Sequence, residues 1–293
     1  MREYGERTGK NDRGGNAQYG QGRPRTDHRN DKKRQNYDRN DSKTDEKESG
    51  EVIYGRNSVI EALRSDVVIN KILISESAAE GSGKVIVALA AEKGIVLNKC
   101  SSKKIDQASG TENNQGVMAY VAAEKYYEVS DILAMAEEKN EKPFIIILDE
   151  IQDPNNLGAI IRSADALGAH GVIIPKRKSA LLTGAVAKAS AGATAYVPVA
   201  RVTNIVRTIE DLKKNGLWII GTAADGEKAF YEADLCGAVG LVIGSEGFGM
   251  GKLVRESCDY VLNIPMSGHV TSLNASVAAG IVMYEIFKKR KES

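Results

Sequence analysis

A chain of 293 residues, 42% of them hydrophobic, is long enough for two domains or one large one, and its formal net charge of +1 does not by itself point to nucleic acid. Its three cysteines, Cys100, Cys236 and Cys258, lie far apart without paired spacing, which argues against both a disulfide framework and a zinc site. No apolar run reaches membrane-spanning length and the N-terminus is polar rather than a signal peptide, so a cytoplasmic protein with no membrane partner is expected.

Residues 1–50 stand apart in composition. They are dominated by Arg, Lys, Asp, Asn, Gly and Gln, with almost nothing apolar except Tyr4, Tyr19 and Tyr37. Such a segment cannot bury enough surface to offset its ordering entropy and is expected to be disordered. Arginines interleaved with tyrosine and glycine can hold RNA loosely. The near balance of acids and bases favours a plain solvated tail instead.

Folded sequence begins at Val52. Asn57 is placed to cap a helix with apolar Val59, Ile60 and Leu63. A strand over 67–74, a helix over 85–93 closed by Gly94, a short strand over 95–97, a short helix over 102–108 and a strand over 117–122 follow. This is a small α/β unit, assigned to residues 51–124. Residues 125–142 are charged and read as a linker with one helix in it, 132–138.

From residue 143 to 293 the alternation is stronger. Strands are expected over 144–148, 172–174, 196–199, 217–220, 241–243 and 260–264, with the clearest helices over 157–167 and 203–214. A long helix rich in Ala, Val and Ile follows Asn274. Short, wholly apolar strands separated by helices imply a parallel sheet covered on both faces, with ligands bound beyond the C-terminal strand ends.

Two polar stretches fall at those ends. The first, GSEGFGMGKL from Gly244 to Leu253, follows an apolar run and carries one carboxylate, Glu246. Its glycines leave room for backbone to approach a ligand. It is not a Walker loop: Glu246 stands where the first glycine is needed, and Leu253 follows Lys252 where Ser or Thr is required. Nor is it a dinucleotide fingerprint, since Lys252 replaces the third glycine. A Ser/His/acid hydrolase is hard to build, because no nucleophile-elbow serine serves the histidines. His28 lies in the tail, His170 is expected to end a helix, and His269 to sit in a loop.

The second stretch, residues 148–175, reads strand, turn, helix, Gly168, strand. Asn156 lies where a helix N-cap is expected, and Arg162, nearly two turns on, is expected to share its side of the helix. The plainer alternative is that Asn156 only caps and Arg162 only pairs with Asp165.

Together these stretches resemble the SpoU/TrmH family of S-adenosylmethionine-dependent RNA 2′-O-ribose methyltransferases, part of the SPOUT group. The first family motif matches through Asn156, Gly158 and Arg162, and the second through Gly244, Glu246, Gly247 and Gly249. The third matches through Ile264, Pro265, Met266, Ser272, Leu273 and Asn274. Residues 52–123 are similar to the small RNA-binding domain that precedes the catalytic domain in bacterial members acting on ribosomal RNA.

The resemblance implies a trefoil knot in the C-terminal domain and a homodimer with the site near the subunit interface; a sulfonium donor already carries its activation, so no metal is expected. The resemblance also implies S-adenosylmethionine held by backbone groups near Gly221, Gly244, Ile264, Met266 and Leu273. Helix residues Val277 to Phe287 are core or interface, and the sequence does not divide the two. Asn156, Arg162, Glu246, Ser272 and Asn274 are the expected catalytic set. The counterpart of Arg162 has been proposed as general base, which is chemically awkward for a side chain that stays protonated. The preferred roles are Arg162 gripping the phosphate beside the target ribose and stabilising the nascent alkoxide, Glu246 orienting Arg162, and Asn156, Ser272 and Asn274 positioning the ribose and the site backbone. The expected substrate is a guanosine of 23S rRNA. A tRNA guanosine comes second, and a non-catalytic ribosome-assembly factor binding RNA is the reading from a different class.

Overall fold

The computed structural model describes residues 51–292 apart from Ser82 and Val270, so the expectation for the N-terminal tail lies outside the described residues. The small domain runs β1 (Val52–Tyr54), α1 (Arg56–Arg64), β2 (Ile69–Ser75), α2 (Glu76–Glu80), α3 (Lys84–Glu92), β3 (Val96–Cys100), α4 (Ser102–Ser109) and β4 (Val117–Val121). Its sheet has the order β1-β4-β2-β3, antiparallel except for the β2–β3 pair. Val59, Leu63, Ile72, Ile74 and Ile86 form its core. Asn57 does not cap α1. The cap position is Gly55 at φ 88, a backbone region where a side chain is strained, and Asn57 lies inside the first turn.

The large domain begins with α5 (Val129–Glu138) and β5 (Phe144–Asp149), then α6 (Pro154–Ala166), β6 (Gly171–Pro175), α7 (Gly184–Ala189), β7 (Val199–Val202) and α8 (Ile205–Lys214). It closes with β8 (Trp218–Thr222), β9 (Lys228–Ala229), β10 (Val239–Gly244), α9 (Lys252–Glu256), β11 (Tyr260–Asn263) and α10 (Ala275–Glu292). Seven strands form one sheet in the order β7-β6-β5-β10-β8-β11-β9, and every pairing is parallel.

The period of two explains how both faces are covered. In β5, Phe144, Ile146 and Leu148 pack with Leu157 and Ile160 of α6 and with Val282, Met283 and Ile286 of α10. Ile145 and Ile147 point the other way, onto Ile209 and Leu212 of α8 and Ile132 of α5. Each fully buried isoleucine contributes roughly 1.5–3 kcal/mol. Ile132 belongs to this core and the Tyr127 N–H bonds Val199 O at 2.9 Å, so the stretch 125–142 expected as a linker is anchored to the sheet at these two residues.

The strand expected over 196–199 begins only at Val199. Residues Ala193–Ala195 make a 3-10 turn, and Tyr196 is 80% exposed. Pro198 has no N–H to give a ladder, while its carbonyl still accepts from Val172 N at 2.9 Å. No described helix is long and apolar enough to cross a membrane.

His170 does not end a helix: α6 stops at Ala166, and His170 is the buried residue before β6. Its Nδ1 accepts the Phe144 N–H at 3.0 Å, and its Nε2 lies 3.0 Å from Glu141 Oε2. That geometry needs neutral imidazole with the proton on Nε2. Burial lowers the pKa, opposed by the Glu141 hydrogen bond. The unfolded chain therefore takes up this proton first, and the stabilisation, complete above the unfolded value of about 6.5, is lost as pH falls below it. Urea midpoints at about pH 7.5 and pH 5.5 should fall further for the native chain than for His170→Asn, whose amide can keep an acceptor near Nδ1. Equal falls would remove His170 from the acid sensitivity.

Candidate active site

The C-terminal ends of the central strands lie side by side, with Gly244 of β10 in register with Asp149 of β5. From Asp149 the chain turns into α6, whose cap is Asp153, accepting from Asn155 N at 3.0 Å, with Pro154 in the first turn. Asn156 is thus inside the helix rather than its cap, and it is buried at 8% exposure. Arg162 does not share its side. Six residues at about 100° each leave the two roughly 120° apart around the axis. Arg162 is exposed, and its guanidinium makes no hydrogen bond or ion pair among the described residues, with Asp165 or any other.

Asn156 instead joins residues from two distant segments. Its Nδ2 donates to Glu246 Oε1 at 3.0 Å, and its Oδ1 accepts from Asn274 Nδ2 at 2.9 Å. Asn274 Nδ2 also donates to Glu246 Oε1, which takes a further bond from the Ala275 N–H at 3.3 Å. Asn274 Oδ1 meanwhile accepts from Ser276 N at 3.0 Å and Val277 N at 3.3 Å, capping α10. The carboxylate of Glu246 therefore sits at the N-terminus of an 18-residue helix, where the helix dipole favours negative charge. Glu246 holds two asparagines and a helix start. It does not hydrogen-bond Arg162, so its expected orienting role falls to no observed contact. Its Oε2 accepts nothing from the described residues, which leaves one carboxylate oxygen open.

Gly158, Gly221 and Gly244 serve the protein's own packing. A Cβ on Gly244 would lie 2.2 Å from the carbonyl carbon of Gly249 and 2.3 Å from Met250 N, and one on Gly221 would lie 2.7 Å from Met250 Cε. On the side where a Cβ would point, both positions are covered by the loop 245–250, closed by Ser245 N to Gly249 O at 3.0 Å and Gly249 N to Ser245 O at 2.8 Å. Gly158 lets α6 meet α7, since its Cβ would stand 2.5 Å from Ala189 Cβ.

Sequence reasoning missed Asp149. This buried carboxylate, the one polar residue ending the run FIIILD, accepts the Gly251 N–H at 2.7 Å and so pins the far end of the same loop. Burial pushes its pKa up, against the Gly251 hydrogen bond that lowers it.

The remaining expected residues line the segment between β11 and α10. Ile264 is half-buried against the core, Met266 is 40% exposed, Leu273 is half-buried, and Ser272 is exposed. From Met266 to Leu273 no backbone–backbone hydrogen bond occurs among the described residues. The backbone groups of the described residues there are not committed to one another.

A family model described as the SpoU rRNA methylase family matches residues 143–284, and one described as RNA 2′-O ribose methyltransferase substrate binding matches residues 52–127. A relative from Bacillus subtilis, YacO, named for the TrmH family of tRNA/rRNA methyltransferases, is 51% identical over 238 residues, 81% of this chain and 95% of that one. Among solved structures, the SpoU methyltransferase AviRb from Streptomyces viridochromogenes aligns with a TM-score of 0.53 at 26% identity, over 83% of this chain and 90% of that one. An AdoMet-bound rRNA methyltransferase from Sinorhizobium meliloti aligns with a TM-score of 0.51 at 25% identity, over 83% of this chain and 88% of that one.

Proposed function

The chain belongs to the SpoU rRNA methylase family, and from that premise we propose that it methylates a ribose 2′-hydroxyl in RNA, with a guanosine of 23S rRNA as acceptor. The observation that carries the reading is the hydrogen-bonded cluster of Asn156, Glu246 and Asn274, which ties three separate segments together at the C-terminal strand ends. Backbone groups beside Ile264, Met266 and Leu273, not committed to one another, would hold S-adenosylmethionine in this reading. When bound it supplies a methyl group already activated as a sulfonium.

The chain's own residues then place and prepare the hydroxyl. Asn156 and Asn274 hold Glu246 so that its free Oε2 can take the hydroxyl hydrogen bond as the proton leaves. The exposed guanidinium of Arg162 grips the phosphate beside the target ribose and stabilises charge on the oxygen. Ser272, exposed at the loop, positions the ribose. Much of the acceleration comes from placement.

The large domain works as a homodimer in this reading, its C-terminal segment knotted as in the family. The exposed Val277 and Tyr284, on the side of α10 away from buried Ala279, Val282 and Met283, are offered to the partner. The match of residues 52–127 to an RNA 2′-O ribose methyltransferase substrate-binding model supports RNA as the acceptor, and the SpoU rRNA methylase model over residues 143–284 favours rRNA. The tRNA/rRNA name of the Bacillus relative keeps tRNA as the second substrate.

Labelled methyl transfer to separated rRNA and tRNA from a strain lacking this protein tests the reading. Label at one alkali-resistant ribose of 23S rRNA is expected, and Arg162→Ala should slow it about a hundredfold without changing S-adenosylmethionine affinity. Label in tRNA would replace the substrate. Cofactor binding with no label in either RNA would leave a non-catalytic RNA-binding factor.

A further inference from the structure

The small domain is docked on the large one through a buried polar junction. Its centre is Asn70, at 0% exposure in β2. The pairing of β2 with β4 slips register between Ile69 and Lys71, so Asn70 stands at a bulge, the device by which a strand re-aims one side chain. Its Nδ2 donates to Val121 O at 3.3 Å within the small domain and to Leu182 O at 3.1 Å in the large one. Its Oδ1 accepts the Tyr126 hydroxyl at 2.5 Å, and that hydroxyl oxygen in turn accepts the Leu182 N–H at 3.0 Å. Arg201 of β7 donates to Asn70 O at 3.0 Å and to Lys176 O at 3.2 Å, with its guanidinium 4.9 Å above the Tyr126 ring. The Ala123 N–H adds a bond to Leu182 O at 2.9 Å.

A buried side-chain amide is costly unless every bond is made, so this junction has one good geometry. Apolar surfaces can slide over each other, whereas these directional bonds lose their partners when the domains rotate. The chain after β4 accordingly does not behave as a tether: Tyr126 is part of the junction and Tyr127 bridges to β7.

We propose that Asn70, Tyr126 and Arg201 are positioning residues that fix the span between RNA seated on the small domain and the cluster of Asn156, Glu246 and Asn274, and so select the ribose that is methylated. The inference rests on the RNA methyltransfer reading and adds a determinant of substrate register to it. None of the three touches the reacting atoms.

The test uses the full chain with a dye pair at exposed Glu80 and Glu210, compared with Tyr126→Phe, which keeps the ring under Arg201, and with Tyr126→Phe combined with Asn70→Ala. The native chain should give one narrow distance distribution and the double variant a broad one. Affinities for S-adenosylmethionine and for RNA should stay unchanged. The rate of transfer at saturating RNA should fall at least about tenfold, with methyl appearing at riboses beside the native one. Tyr126→Phe, which is least able to disturb folding, should show the same changes in smaller measure. A distribution that stays narrow in the double variant overturns the junction. A broad one with native rate and native ribose overturns the positioning role. A native chain that methylates no RNA fails on the functional reading, and the distance distributions still decide whether the junction holds the domains.

Discussion

Glu246→Ala is expected to reduce methyl transfer by about 10²–10³-fold, because one substitution removes the acceptor that ties two other segments to its own and the only open carboxylate oxygen of the cluster. It also leaves the Asn156 amide buried without its partner, at about 1–3 kcal/mol, and strips the start of α10 of a favourable charge, at about 0.3–1 kcal/mol. Glu246→Gln separates the two effects. Its amide oxygen can still serve Asn156, Asn274 and Ala275, so most of the stability should return, while the negative charge and the Oε2 acceptor do not. Single-turnover transfer and urea midpoints on both variants make the comparison. A native rate in Glu246→Gln would take the carboxylate out of the chemistry and leave it a purely architectural anchor.

What the amino-acid order made legible follows physical range. The apolar residues Phe144–Leu148 of β5 and Leu241–Ile243 of β10 are all buried on one face or the other, a continuous apolar run that is a local pattern and needs no partner to be recognised. The three motifs were legible as motifs, through resemblance. Their mutual geometry was not, because the bond between Asn156 and Asn274 spans 118 positions and nothing local announces it. Where local rules were pressed further they failed for identifiable reasons. The helix period was misapplied to Arg162, an aspartate outbid Asn156 for the cap, and a proline delayed β7. Asn70 is the instructive case. A lone asparagine in INKILIS reads as an edge or surface residue, and only a bulge set by pairing with β4 turns it into the centre of a domain junction.

Gly244→Ala is expected to be the most damaging small change in the molecule. The atoms nearest its new methyl, Gly249 C at 2.2 Å, Met250 N at 2.3 Å and Gly249 O at 2.6 Å, are all backbone, so no side-chain rotation relieves the clash. The loop 245–250 must move off the end of β10. Both of its anchors then suffer: Gly251 N withdraws from Asp149 Oδ2, now 2.7 Å away, and Glu246 is carried off Asn156 and Asn274. Overpacking of this kind costs about 1–3 kcal/mol, and a displacement of about 1 Å at a reacting group costs about a hundredfold in rate. Gly247 and Gly249 supply the comparison. Neither has an atom within 4 Å of a built Cβ, but Gly249 holds φ 65 and Gly247 does not stand among the positive-φ glycines. Gly247→Ala should leave the urea midpoint unchanged and Gly249→Ala should lower it modestly through backbone strain, with Gly244→Ala lowest of the three. If Gly244→Ala instead unfolds with the native midpoint and transfers methyl at the native rate, the loop is not seated on the strand end, and the fixed placement of Glu246 that the mechanism needs must come from elsewhere.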